Sequence, residues 1–154
     1  MILIDQGPIL IVEDSDEDFA ATLWVFKKSP VLVPIVRCKD GEQAIDYLEK
    51  RGQYAAPNVT EPPAIVLLDL NLPRTNGHQV LKHIKSSERL QRLPVIVLTS
   101  SARPEDVQAC YRNGSNSYVV KPIGIAKLRE MVEKLVDYWF RLSLLPSLVE
   151  SDED

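Results

Sequence analysis

Cysteine, glycine and basic charge are all scarce in this chain, and each scarcity excludes something. Two cysteines among 154 residues, Cys38 and Cys110, lie far apart with no CxxC spacing. They form neither a disulfide framework nor a thiolate metal motif and read as buried free thiols of a reducing compartment. Eighteen Lys and Arg stand against 22 Asp and Glu, a formal charge of −4, and no cluster of basic residues interrupts that balance. A nucleic-acid surface needs such a cluster, so nucleic acid is excluded as a partner. The one charge block is acidic, Glu150 to Asp154. Apolar runs are strand-sized, far short of a membrane span. Met1 to Ile4 lacks a basic n-region and is interrupted at once by Asp5, Gly7 and Pro8, so no signal peptide is expected. Only six glycines and no biased tract argue against disorder. The expectation is a soluble, cytoplasmic protein with no nucleic-acid or membrane partner.

What is present suffices for one core. The chain is 45% hydrophobic and 26% charged, and its length matches one domain on a scale of roughly 100 to 200 residues each. Short aliphatic runs recur at Ile9 to Val12, Val33 to Cys38, Ile65 to Leu68, Val95 to Leu98 and Ser117 to Val120. Most are continuously apolar, as strands covered on both faces are. Helical punctuation fills the gaps. Ser15 and Asp18 have capping-box spacing before Phe19, Leu23 and Phe26. Asp40 or Gly41 opens a second helix with Ile45 and Leu48 inward, and Asn76-Gly77 a third with Val80, Leu81 and Ile84. Pro104 and its acidic successors start a fourth, closed by Asn113-Gly114. A fifth runs from about Ile125 to Leu142, with Leu128, Met131, Val132, Leu135, Trp139 and Leu142 as its inward stripe. The spacing predicts an α/β fold, (βα)5, with a doubly wound parallel five-stranded sheet between two helical layers. A closed barrel needs eight such units and more chain.

In such sheets ligands bind beyond the carboxyl ends of the strands. Those ends carry Glu13-Asp14, Asp69, Thr99 and Lys121. Taken singly, each reads as a cap, a turn or a solvated charge. Taken together, three carboxylates, a hydroxyl and an ammonium form a convergent titratable cluster. Carboxylates that close need a cation, and hard oxygen donors select Mg²⁺. The set also holds the parts of phosphoryl transfer: a carboxylate nucleophile, a metal and a lysine for the phosphoryl charge, and a hydroxyl donor.

The chain resembles the receiver domain of two-component response regulators, the flavodoxin/CheY-like fold, from Pro8 to about Leu142. The resemblance is carried by ILIVEDSDED (Ile9 to Asp18), VLLDLNLPRTNG (Val66 to Gly77), VIVLTSS (Val95 to Ser101) and NGSNSYVVKP (Asn113 to Pro122). It implies that Asp69 accepts a phosphoryl group from a sensor histidine kinase. It implies Mg²⁺ ligation by Asp14, Asp69 and the Asn71 carbonyl, with Glu13 acting through water; many members carry Asp where Glu13 stands. Thr99 and Lys121 would contact the phosphoryl group, and a cis Lys121-Pro122 bond would aim the ammonium. Tyr118 would be the aromatic that turns inward when Thr99 shifts, while Asn71 and Ser101 would tune the lifetime of the acyl phosphate. The acidic Asp16, Glu17 and Asp18 read as first-turn acids of a helix.

Rival chemistries fit less well. D-x-D-x-D from Asp14 has Phe19 and Val25 where an EF-hand needs Gly and Glu. A dehalogenase-type phosphohydrolase wants its DxD after the first strand, whereas Asp69 follows the third and position 71 is Asn. A pseudo-receiver scaffold finds no support while Asp14, Asp69, Thr99 and Lys121 are all present. His78 and His83 lack a third ligand and read as solvated helix positions.

On this reading residues 8–142 form the receiver and residues 143–154 a C-terminal extension with an acidic tail, with no output domain. The protein is then a signalling acceptor, not an enzyme. The loop KRGQYAAPNVTEPPA (Lys50 to Ala64) exceeds the two to six residues common in αβ connections, and reads as a surface excursion or a partner contact. Apolar residues beyond the fifth helix's stripe, Val136, Tyr138, Phe140, Leu144 and Leu145, mark an interface. We expect a homodimer through the face of the fourth helix, fifth strand and fifth helix together with the C-terminal segment. That long loop, LNLPRTNGHQVL (Leu70 to Leu81) and the aromatic last helix resemble the small regulators of bacterial and cyanobacterial phytochromes. This resemblance implies a phytochrome as the kinase.

Overall fold

Every apolar run of the sequence becomes a strand of one parallel sheet: β1 (Ile9–Val12), β2 (Ile35–Cys38), β3 (Ile65–Leu68), β4 (Val95–Thr99) and β5 (Ser117–Val120). The computed structural model describes residues 2–3, 6–57 and 59–148; the acidic tail from Glu150 lies outside the described residues. The strand order is β2-β1-β3-β4-β5, all parallel. The order reverses between β1 and β3, which opens a crevice at their carboxyl ends. A separate two-residue parallel pair, Ile2–Leu3 with Val31–Leu32, was not foreseen.

Five helices cover the sheet: α1 (Asp16–Lys28), α2 (Gly41–Glu49), α3 (Gly77–Ser86), α4 (Pro104–Arg112) and α5 (Ile125–Val136). Their starts follow local chemistry. Ser15, Asp40 and Asn76 accept the third backbone N–H of α1, α2 and α3, and Pro104 occupies the first turn of α4. Though continuously apolar, the strands still alternate. Leu10, Val12, Val66, Leu68, Val95 and Val97 pack with Leu48, Val80, Leu81, Ile84 and Cys110 on one side. Ile9, Ile11, Ile65, Leu67 and Ile96 pack with Val25, Phe26, Val132 and Val136 on the other. The layering is therefore α/β/α, with α1 and α5 opposite α2, α3 and α4. No described helix is long and apolar enough to cross a membrane.

The end of the last helix departs from the expected stripe. Asp137–Leu142 is wound as a π-helix, with the Ser143 N–H reaching back five residues to the Tyr138 carbonyl at 2.7 Å. The wider turn rotates the helix face, so Val136 and Phe140 point into the core and Leu142 points out. Val136 and Phe140 are thus core residues and leave the proposed interface, while Tyr138 and Leu144 stay exposed. Beyond the π-turn the chain runs past Gln6, Gly7, Pro62 and Pro63. It then buries Leu148 beside Tyr47, Leu48 and Leu90, in the core opposite the one α5 packs into. The extension is a strap across the amino ends of the strands.

The long middle loop is tied down rather than free. Tyr54, in a short 3-10 turn (Gly52–Tyr54), meets Tyr47 edge-on at 5.1 Å, and the Tyr47 hydroxyl donates to the Glu61 carbonyl at 2.9 Å. At the same end of the sheet the Lys85 ammonium donates to the carbonyls of Gln91 and Leu93 and to Asn116 Oδ1, at 3.1, 2.7 and 3.1 Å. Both cysteines are buried and free, and burial pushes Cys38 up to about 12.

Candidate functional site

The crevice at the carboxyl ends of β1, β3, β4 and β5 gathers the five residues that the sequence placed there. Asp69 follows β3 and is 5% exposed. Its turn is fixed from below by α3: a Cβ on Gly77 would lie 2.2 Å from the Asp69 carbonyl oxygen, so only glycine lets the helix approach this closely. Glu13, at the end of β1, is equally buried, while Asp14 beside it is exposed. Carboxylate oxygens of Glu13, Asp14 and Asp69 lie within 4.8 Å of one another. Thr99 ends β4, fully buried, and its hydroxyl helps lower the Asp69 carboxyl.

Lys121 joins them from β5. Its N–H continues the β4–β5 ladder by donating to the Thr99 carbonyl at 2.7 Å, which puts the residue in strand register. Its ammonium then donates to Glu13 at 2.5 Å, Asp69 at 2.8 Å and Asp18 at 2.8 Å. The expected cis bond is not there. Lys121-Pro122 is trans, and the ladder bond with the long side chain delivers the ammonium without it.

Burial and charge act in opposite directions on these groups. Burial pushes Glu13 up to about 7; the Lys121 hydrogen bond offsets only part of this, and Asp69 repels. Burial also acts on Asp69, but hydrogen bonds from Lys121, the Asn71 N–H and Thr99 outweigh it and hold the carboxyl below its ordinary range. Lys121 loses by burial, yet its three carboxylates keep it charged above the ordinary value. Asp69 is thus an ionised, buried carboxylate aimed at an ammonium, which is the state a nucleophile needs.

The remaining expected residues lie one step out. The Asn71 N–H donates to Asp69 Oδ1 at 3.1 Å while its side chain is exposed. Ser101 gives its hydroxyl to Asp106 at 2.5 Å and its carbonyl to the Tyr118 hydroxyl at 2.8 Å. Tyr118 is partly buried, with its ring against the core.

Three assignments need correction. Asp18 is a neighbour of the site, not simply a helix-dipole acid. The Ser15 N–H is taken by Glu13 Oε2 at 3.2 Å, and aspartate is shorter than the Glu or Gln of a full capping box, so Asp18 turns to Lys121. Asp16 pairs with Arg37 at 2.8 Å, and the Arg37 Nε donates to the Glu13 carbonyl at 3.1 Å, clamping the loop between β1 and α1; nothing in the sequence pointed to Arg37. His78 and His83 are helix positions only partly open to solvent: they contact Asp106 at 3.1 Å and Glu49 at 3.0 Å.

Known proteins share this arrangement. Residues 9–133 match the model of the response regulator receiver domain. The probable methanogenesis regulatory protein FilR2 of Methanothrix harundinacea is 39% identical over 88% of this chain and 84% of its own. Response regulator Rcp1 of Synechocystis is 36% identical over 90% of this chain and 92% of its own; its Mn²⁺-bound crystal structure superposes with a TM-score of 0.84 at 35% identity, covering 92% of this chain and 99% of that one. The phosphorylated cyanobacterial phytochrome response regulator RcpA superposes with a TM-score of 0.86 at 34% identity, covering 93% and 100%. Fold, strand-end chemistry and these likenesses coincide over the same residues, and the chain belongs to the response regulator receiver domain family.

Proposed function

We propose that this protein is a response regulator whose Asp69 accepts a phosphoryl group from a sensor histidine kinase. The observation that carries the reading is the Lys121 ammonium bridging the buried carboxylates of Asp69 and Glu13, with Asp14 beside them and Thr99 at the end of β4. Asp69 attacks phosphorus, the bond from phosphorus to the donor breaks, and its electron pair leaves with the donor. Lys121 and Thr99 then meet the phosphoryl oxygens. Three hard carboxylates converge on one point, which fits Mg²⁺: Asp14, Asp69 and the Asn71 carbonyl would hold it, with Glu13 through water. Bound there, the ion neutralises phosphoryl charge. Treatment with acetyl phosphate and Mg²⁺ should add one acid-stable, base-labile phosphoryl group, confined to Asp69 and lost in Asp69→Asn or with EDTA. Labelling elsewhere, or none, defeats the reading.

Thr99 and Tyr118 then form the switch, with Ser101 and Asn71 tuning the lifetime of the acyl phosphate. The output surface is the face of α4, β5 and α5, where Tyr111, Val120, Ile123, Tyr138 and Leu144 are exposed, and a groove of about 500 Å³ runs beside Val119, Met131 and Trp139. This apolar face suits a homodimer. The likeness to RcpA, a phosphorylated phytochrome response regulator, supports a phytochrome as donor. FilR2 favours a different sensor. Phosphotransfer from a kinase panel that includes a phytochrome separates these. We place the protein in the cytoplasm, with the kinase's phosphohistidine domain.

A further inference from the structure

An ammonium has three protons, and Lys121 spends all of them on carboxylates: Glu13, Asp69 and Asp18. The first two are buried at the floor of the crevice. Asp18 differs. It projects from the first turn of α1, its side chain is 51% exposed, and it lines the open cleft in which Lys121, Pro122 and Leu128 also lie. Asp18 and Asp69 share one ammonium, so the Asp18 charge stands at the solvent side of the nitrogen that faces Asp69.

The charges give this position a consequence. A bound cation favours the ionised form of Glu13 alongside Asp14, Asp18 and Asp69, so four carboxylates then face one ammonium. A divalent cation leaves one negative charge unbalanced, and Asp18 is the carboxylate at the rim that the metal cluster does not use. We propose that Asp18 is a specificity-determining residue of the phosphorylation site, holding Lys121 at the rim and repelling small anionic phosphodonors. This rests on the receiver reading above. A donor presented by a docked protein brings binding energy that offsets the repulsion; a free anion has none. The residue thereby insulates Asp69 from small acyl phosphates.

Asp18→Asn keeps the shape and removes the charge. The test compares two free donors in Mg²⁺: dianionic acetyl phosphate, whose P–O bond breaks to release acetate, and the less charged phosphoramidate, whose P–N bond breaks to release ammonia. Asp18→Asn should take label from acetyl phosphate at least about threefold faster than wild type at low salt, with a smaller gain from phosphoramidate. The gain should shrink as ionic strength rises past ~0.1 M, where the Debye length is about 10 Å. Asp18→Glu restores the charge and should restore the wild-type donor ratio. Glu17→Gln removes an equal charge from the same helix turn without touching Lys121 and should leave the ratio unchanged. Equal rates in wild type and Asp18→Asn, or an equal loss with both donors, overturns the proposal while leaving the receiver reading intact. A wild-type chain that takes no label from either donor overturns both.

Discussion

At the scale of the residue, the crevice combines two carboxyls of opposite temperament. Asp69 is held ionised, while burial pushes its neighbour Glu13 from 4.5 up to about 7. The linkage follows from the sign. A carboxyl whose value is raised in the folded state binds protons that the unfolded chain has released, so folding weakens as pH climbs from 4.5 to about 7. Depressed carboxyls such as Asp106 and Glu49 act in the other direction, stabilising above the ordinary carboxylate range and losing that contribution as pH falls. In EDTA, wild type should therefore lose melting temperature relative to Glu13→Gln as pH rises across that window, and match it more closely near pH 4.5. A gap independent of pH would refute this. Which residues meet was legible, because strand ends of a parallel sheet must converge. Asp18 and Arg37 were not: each is chosen by which donor a neighbour has already taken, and sequence spacing does not record that.

At the scale of the element, β1 and β3 begin and end where their apolar runs do, since a strand buried on both faces admits no polar residue. β2 starts later than its run because Pro34 donates no ladder hydrogen bond. The last helix was legible only to Val136. A 3.6-residue period carries Leu142 inward, but the π-turn breaks the period, and no residue type announces one. The strap beyond it was read as part of an interface between chains, yet its Leu148 fills a gap between α2 and the middle loop at 9% exposure. Leu148→Ala should cost about 2–3 kcal/mol, the lower part of the range for buried leucines. A lowered urea midpoint with unchanged slope would show it; a midpoint within error of wild type would mean the strap adds no stability.

At the scale of the whole molecule, the two faces of the sheet are unequally finished. The α4–β5–α5 side leaves an edge strand with Val120 exposed, and Ile123 and Tyr138 are exposed before and after α5; edge strands invite partners. Light scattering at micromolar concentration should give the mass of two chains, and Tyr138→Glu or Leu144→Glu should return it to one; a single-chain mass for wild type, with and without phosphorylation, would sink the dimer. A half-buried lysine stands at each pole of the sheet, Lys121 at the carboxyl ends and Lys85 at the amino ends. Lys121 holds side-chain carboxylates, which can turn, gain a phosphoryl group or exchange partners within a signalling event. Lys85 holds two backbone carbonyls and one asparagine that itself receives the Val95 N–H at 2.9 Å, and none of these can let go without unravelling the starts of β4 and β5. The sheet is thus built like a lever with one end bolted: on the proposed phosphorylation of Asp69, movement begun there would run outward along β4 and β5 toward the helices, because the far ends of those strands are anchored against it.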